Sequence, residues 1–570
     1  MRQLRTLAGA VAATVAASVL VIAPAGAAEH EVIDGAITSF DGTSIAYTLF
    51  RPATATADSP VPMILHSHGW GGSRSTTGFT DWLDEGFAVL SFDQRGFGQS
   101  GRQGGQLNAT ANVQDPDFEA QDVIALIDFV AELDWVELDA PGDPVLGAIG
   151  GSYGGGYQWV TALYETENNG TTRFDAIAPE ISWYDLPNAL APSGVARTTW
   201  LAALYAAGSF ALPEYVHHAF AYGTATGQWP DGTVPDPAVP NLDAEFHEHG
   251  PVGFVDRGVQ LDVPALIRQG ASDNLFNLNQ GLHNFSRTLT DDARADSLFV
   301  GFNGGHVLPN ALPAAAAAGG DPCSDASASG GWEQLTRDFY RAAFNGGDTT
   351  ALLPTQYNFA TMDGSCLAVE ALDEVLVDLP GSLTATTSGA GVPQHVEVAD
   401  GPLTLSGIPT LDADVTSIGA DQRVFLALSV GTSALDATVV QNNVLPLHEL
   451  LPVVGERHEG IELPGIAVEV AEGEKLFLTV SPVSDMFPGH GSTRTPGVVL
   501  LENLTLHLPV PGTLDEGDDG DTGGDPCEGL SGREFGQCRK AGKGGGDGTN
   551  PPAPTGTWTA MYTYDRSRVR

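Results

Sequence analysis

The sequence predicts an α/β fold, a mostly parallel sheet between layers of helices, joined to a second, all-β domain. Three observations carry this expectation. Short apolar runs alternate with amphipathic stretches from Glu31 to about Phe344, as in a sheet with helical crossovers. After Asn345-Gly346-Gly347 the segments become short and rich in branched residues, separated by Gly, Pro and Asp. A length of 570 residues also exceeds what one hydrophobic core usually holds.

The elements follow in order. Residues 32–50 read as a hairpin turning at Asp41-Gly42. Residues 63–66 and 87–92 are apolar runs short enough for buried strands, with a helix between them around Asp81-Trp82-Leu83. Val123, Leu126, Ile127, Val130 and Leu133 recur at helical spacing. A strand at 145–149 leads into a helix over 157–164, and strands at 176–181, 265–267 and 298–300 complete the set before a helix at 332–344. Residues 183–259 interrupt the rhythm with an aromatic, helix-rich insertion, too apolar for disorder, which reads as a cap. Strands are expected at 403–405, 424–430, 466–470, 476–480 and 498–508.

The ends have their own character. Arg2 and Arg5, an apolar run to about Pro24 and then Ala25-Gly26-Ala27 form the parts of a secretory signal, with cleavage expected after Ala27. The mature protein is accordingly expected outside the cytoplasm, without stable membrane insertion. Residues 511–570 turn acidic and Gly/Pro-rich and are expected to be disordered. The expected division is 1–27 signal, 28–350 α/β domain with the insertion at 183–259, 351–510 β-sandwich and 511–570 tail.

A net charge of -46, with Lys475, Lys540 and Lys543 the only lysines, argues against nucleic-acid binding. Cys323, Cys366, Cys527 and Cys538 are an even set in an exported chain and favour disulfides. Sequence order suggests Cys323 with Cys366 and Cys527 with Cys538, other pairings remaining open. No His-Glu-x-x-His or Cys-x-x-Cys motif occurs, and neither a metal nor a cofactor is expected.

Gly150-Gly151-Ser152-Tyr153-Gly154 places a serine between an apolar strand and a helix. That is the setting of a nucleophile elbow, in which the glycines permit a strained turn and the next amide, that of Tyr153, can face an oxyanion. A serine hydroxyl needs a base to attack. His306 ends Phe302-Asn303-Gly304-Gly305-His306 directly after the last core strand. Asp273, in Gln269-Gly270-Ala271-Ser272-Asp273-Asn274-Leu275-Phe276, lies after the preceding strand, where its carboxylate can orient the imidazole. The order Ser, Asp, His is that of an α/β-hydrolase. His66-Ser67-His68-Gly69-Trp70-Gly71-Gly72 is the expected source of a second oxyanion amide, from Gly69 or Trp70, and Arg95 is expected to brace the elbow.

Together "HSHGWGG", "DQRGFGQSG", "GGSYGGGYQ", "QGASDNLFN" and "GGH", followed by a β-rich region, resemble the Xaa-Pro dipeptidyl-peptidase and cocaine-esterase family of serine hydrolases. The resemblance covers about Glu31 to Pro509. It implies an α/β-hydrolase domain with a helical cap, a jelly-roll domain, and nucleophile, acid and base at Ser152, Asp273 and His306. Where some relatives present a tyrosine hydroxyl to the oxyanion, this sequence has Trp70, which points to a backbone donor. No acidic pair for a peptide's free amino terminus stands out. The expected substrate is a small ester, amide or peptide, its apolar part received by Trp183, Tyr184 and Trp200 of the cap. An Xaa-Pro exopeptidase and a catalytically silent carbohydrate-binding protein are the alternatives. Oligomeric state is left open.

Overall fold

The computed structural model describes residues 29–233, 238–306, 319–387, 392–489, 492 and 496–512. The expected signal segment, the tail beyond Gly512 and Cys527 with Cys538 lie outside the described residues.

Strands β1 (Glu31–Thr38) and β2 (Ser44–Arg51) pair antiparallel in unbroken register. Their turn forms because Gly42 takes φ 88° and Asp41 accepts the Thr43 N–H at 2.9 Å. Next come β3 (Met63–Ser67), β4 (Ala88–Phe92), β5 (Leu146–Gly151), β6 (Ala176–Glu180), β7 (Leu266–Gly270) and β8 (Leu298–Phe302). The 10-stranded sheet ends with β9 (Tyr357–Ala360) and β10 (Cys366–Val369), in the order β1-β2-β4-β3-β5-β6-β7-β8-β9-β10. From β4 through β9 neighbours run parallel, and antiparallel pairs flank them.

The parallel strands are largely apolar because helices cover both faces. Alternate side chains part to opposite sides. Leu65, Leu90 and Ala148 pack with Val123 and Ile127 of α2 (Glu119–Ala131) and Val160 of α3 (Tyr153–Asn169). Ile64, Val89, Ala178 and Val300 pack with Trp82 of α1 (Thr80–Asp84) and with Phe339 and Tyr340 of helix Trp332–Phe344. Each of the Val, Leu, Ile and Phe side chains so withdrawn from water contributes roughly 1.5–3 kcal/mol.

Between β6 and β7 lie α4 (Leu186–Leu190), α5 (Thr198–Gly208), α6 (Glu214–Thr226), α7 (Leu242–His247) and α8 (Pro251–Asp256). The apolar faces of α4 to α7 cluster with Phe97, Tyr153, Leu275 and Phe276, so the insertion sits as a cap above the serine turn.

The sheet extends past residue 350, the boundary expected from the sequence, because β9 and β10 join its edge. A disulfide between Cys323 and Cys366 ties β10 to helix Pro322–Ala326. Beyond it, Ala371–Thr386, Val498–Gly512, Thr410–Ile418 and Val453–Glu462 make one antiparallel sheet. Gln394–Asp400, Lys475–Ser481, Gln422–Gly431, Thr438–Val439 and Leu445–Glu449 make a second. Leu411, Val415, Leu426, Leu478 and Leu501 fill the space between, as in a β-sandwich. No helix among the described residues is long and apolar enough to cross a membrane.

Candidate active site

At the end of β5 the chain turns sharply into α3, and Ser152 occupies that turn at φ 58° and ψ -120°, a conformation costly for any residue with a β-carbon. The glycines around it are steric requirements. A β-carbon at Gly150 would lie 2.6 Å from the Ser67 carbonyl, and one at Gly154 2.4 Å from the same oxygen. The strain is held by packing on both sides. Ser152 N–H donates to the Glu180 carbonyl at 3.0 Å, and its own carbonyl accepts from Gly155 and Gly156.

His306 Nε2 lies 2.9 Å from Ser152 Oγ, and Nδ1 lies 2.7 Å from Asp273 Oδ2. Asp273 is 0 % exposed. Its Oδ2 also accepts the His306 backbone N–H at 2.9 Å, and Oδ1 accepts from Leu275 at 2.9 Å and Phe276 at 2.7 Å. A carboxylate met by this many donors is held in one orientation. With Nδ1–H committed to Asp273, Nε2 presents its lone pair to the serine hydroxyl. Gly305, at φ 101°, brings the histidine close, since a β-carbon there would meet Asp273 at 2.6 Å.

Tyr153 opens α3, and its amide is among the first-turn donors that have no acceptor within the helix. Gly69 lies against the serine, its β-position 3.7 Å from Ser152 Cβ. The Gly69 loop is fixed by His68, whose Nε2 accepts from Gln94 N–H at 3.1 Å while Nδ1 meets the Gly69 carbonyl at 2.8 Å. Burial lowers the His68 pKa, in keeping with a neutral ring. The Trp70 indole anchors outward, donating to the Leu204 carbonyl of α5 at 2.9 Å, while its ring meets Tyr153 edge-on.

Of the cap aromatics, Trp200 presents its ring edge-on to His306 at 5.7 Å and donates from Nε1 to Asn274 Oδ1 at 2.8 Å. Trp183 stacks loosely on Tyr153, ring centroids 6.5 Å apart, and lies against Phe276. Tyr184 packs instead on His283 and Arg287, and Phe276, 5.2 Å from His306, stands by the base. Arg95 does not brace the elbow as expected. It is bidentate to Asp122 at 2.7 Å and reaches Asp41 at 3.0 Å, because a guanidinium at 2 % exposure needs carboxylates around it. Its neighbour Gln94, with Gln114, donates to the Tyr153 carbonyl at 3.3 and 3.1 Å.

The acid loop has partners that the sequence did not reveal. Arg197, 1 % exposed, donates to the Asn274 and Ala189 carbonyls, each at 2.8 Å, and stacks over Phe487 of the β-sandwich. Burial pulls its pKa down to about 10, opposed by the charge of Asp273. Asn443, also from the sandwich, donates to the Asp273 carbonyl at 2.7 Å.

Residues 41–307 match the family described as X-Pro dipeptidyl-peptidase (S15 family). The enzyme is a serine hydrolase, similar over this region to the S15 family. Among solved structures the hydrolase resembles a CocE/NonD family hydrolase from Staphylococcus aureus at 14 % identity and TM-score 0.58, covering 85 % of this chain and 96 % of that one. An aminopeptidase from a marine sediment Thaumarchaeota archaeon matches at 13 % identity and TM-score 0.56, over 85 % of this chain and 97 % of the other. An alpha-amino acid ester hydrolase matches at 13 % and 0.55, over 86 % and 98 %. At these identities the likeness is one of fold, and it extends over the cap and the β-sandwich as well as the sheet. No curated protein matches the chain.

Proposed function

We propose that the protein is an exported serine hydrolase that cleaves ester or amide bonds by acyl transfer to water through Ser152, His306 and Asp273. The observation that carries this is the unbroken hydrogen-bond chain from Ser152 Oγ through His306 to buried Asp273. His306 Nε2 takes the hydroxyl proton as Ser152 attacks the carbonyl, and Asp273 holds the imidazolium that forms. The Tyr153 amide and a backbone amide of the Gly69-Trp70 segment meet the developing oxyanion. His306 then returns the proton to the leaving group, and water, activated by the same base, releases the acyl group. Trp183, Trp200 and Phe276 give the substrate's apolar part a wall beside the base. Export follows from the charged, apolar and small-residue parts of the first 27 residues.

The test is labelling of the mature protein with a fluorophosphonate probe beside Ser152→Ala and His306→Ala. Labelling of the wild type and of neither variant supports the mechanism. A folded wild type that resists the probe refutes it. Short p-nitrophenyl esters compared with prolyl dipeptide amides then divide an esterase from an exopeptidase.

A further inference from the structure

Outside the Ser152 centre, Asp115, Glu245 and His249 place one ligand atom each within 4.8 Å of one another. They come from different parts of the fold. Asp115 belongs to the loop before α2, Glu245 to α7 of the cap, and His249 to the turn between α7 and α8. His249 Nε2 faces Asp115 Oδ2 at 3.8 Å, its side chain 3 % exposed. The ring meets the Val113 backbone while Nε2 faces the Asp115 carboxylate. A buried imidazole turned toward two carboxylates from separate segments, all three ligand atoms within 4.8 Å of one another, has the geometry of a cation site.

The surroundings narrow its chemistry. No lysine or arginine reaches salt-bridge distance of Asp115 or Glu245 among the described residues. A divalent cation neutralises both carboxylates, which one ammonium group would not. Imidazole with carboxylates suits a first-row ion such as zinc or manganese better than calcium, which takes oxygen ligands alone. The Tyr215 phenol of α6 lies close enough to feel the charges of Glu245 and Asp115. The preceding loop is also specialised, since Val113 and Gln114 stand at φ 66° and 61°, where a β-branched residue is strained.

We propose that Asp115, Glu245 and His249 form a divalent-metal site that staples the cap to the sheet domain. The site lies beside the catalytic centre and takes no part in acyl transfer. His249 carries the effect inward, because its carbonyl accepts the Trp183 Nε1–H at 2.9 Å and Trp183 stacks loosely on Tyr153. On the other side, Glu119 Oε2 accepts the Asp115 N–H at 3.0 Å, and Glu119 Oε1 is 3.4 Å from the Tyr153 hydroxyl. A bound ion thus fixes the distance between cap and elbow.

The experiment strips the full-length mature protein with EDTA, returns it to metal-free buffer and titrates zinc, reading bound metal after desalting and Tm in parallel. Wild type should retain about one equivalent with a raised Tm. Glu245→Gln and Asp115→Asn, which preserve side-chain shape, and His249→Ala should each weaken binding by about 100-fold. They should keep fluorophosphonate labelling, which shows that they fold. The proposal fails if wild type retains no zinc. It fails also if the variants retain as much as wild type, which would mark the metal as bound to the acidic surface at large. Stabilisation by an amino-acid ester with indifference to zinc would overturn it too.

Discussion

Asn443 of the β-sandwich donates its side-chain N–H to the backbone carbonyl of Asp273 at 2.7 Å. The donor is 1 % exposed and the acid 0 % exposed, so water cannot stand in for either partner. Removing the donor strands a buried carbonyl, a loss of about 1–3 kcal/mol. Asn443→Ala should therefore lower kcat roughly tenfold with KM little changed, as the acid loop relaxes. Steady-state kinetics check this, and an unaltered kcat would separate the sandwich from the acid.

Asp273→Asn replaces the acceptor of His306 Nδ1–H with a group that can also donate, which favours the wrong imidazole tautomer. The fold should persist, since Oδ1 still accepts from Leu275 and Phe276. Activity should fall about ten-thousandfold, measured as kcat on an activated ester.

Gly154 leaves no room for a side chain, a β-carbon there standing 2.4 Å from the Ser67 carbonyl. The obstacle is backbone and cannot swing away. Gly154→Ala should cost about 1–3 kcal/mol in urea unfolding and slow fluorophosphonate labelling sharply. A labelling rate equal to wild type would show that the elbow tolerates the shift.

Burial pushes the Glu119 carboxyl up to about 8, against the opposing charge of Arg95. The folded pKa exceeds the unfolded value of 4.5, so the proton favours the native state. That contribution is complete below the unfolded value and is lost as pH rises through about 8. Glu119→Gln does not titrate. Its Tm relative to wild type should accordingly climb between about pH 5 and pH 9, and a constant difference would contradict the raised pKa.

Much of the sheet, and the meeting of Ser152, Asp273 and His306, was legible because each rests on local signals. The strand at 146–151 is apolar, its glycines mark the turn, and the helix follows at once. The strand Ala371–Thr386 was not legible. Its side chains are mostly exposed, and Pro380-Gly381 reads as a break, whereas the structure absorbs both in a register shift between Leu379 and Ser382. Val453–Glu462 is similarly polar. Asn443, Arg197 and the Asp115–Glu245–His249 group were hidden for another reason. Each acts on residues distant in sequence, and no spacing rule marks a long-range contact before the chain is folded.

The segment after β7 is gripped by three parts of one chain: Gly305 and His306 beside the sheet, Arg197 and Trp200 of the cap, and Asn443 of the sandwich. Modular shuffling of this scaffold is therefore constrained in a particular way. A chimera that borrows a foreign sandwich can keep every residue around Ser152 and still lose its acid's support, unless the graft restores an amide at position 443 and an aromatic ring under Arg197. Inheritance of the two halves as a unit is the expected evolutionary signature of that grip.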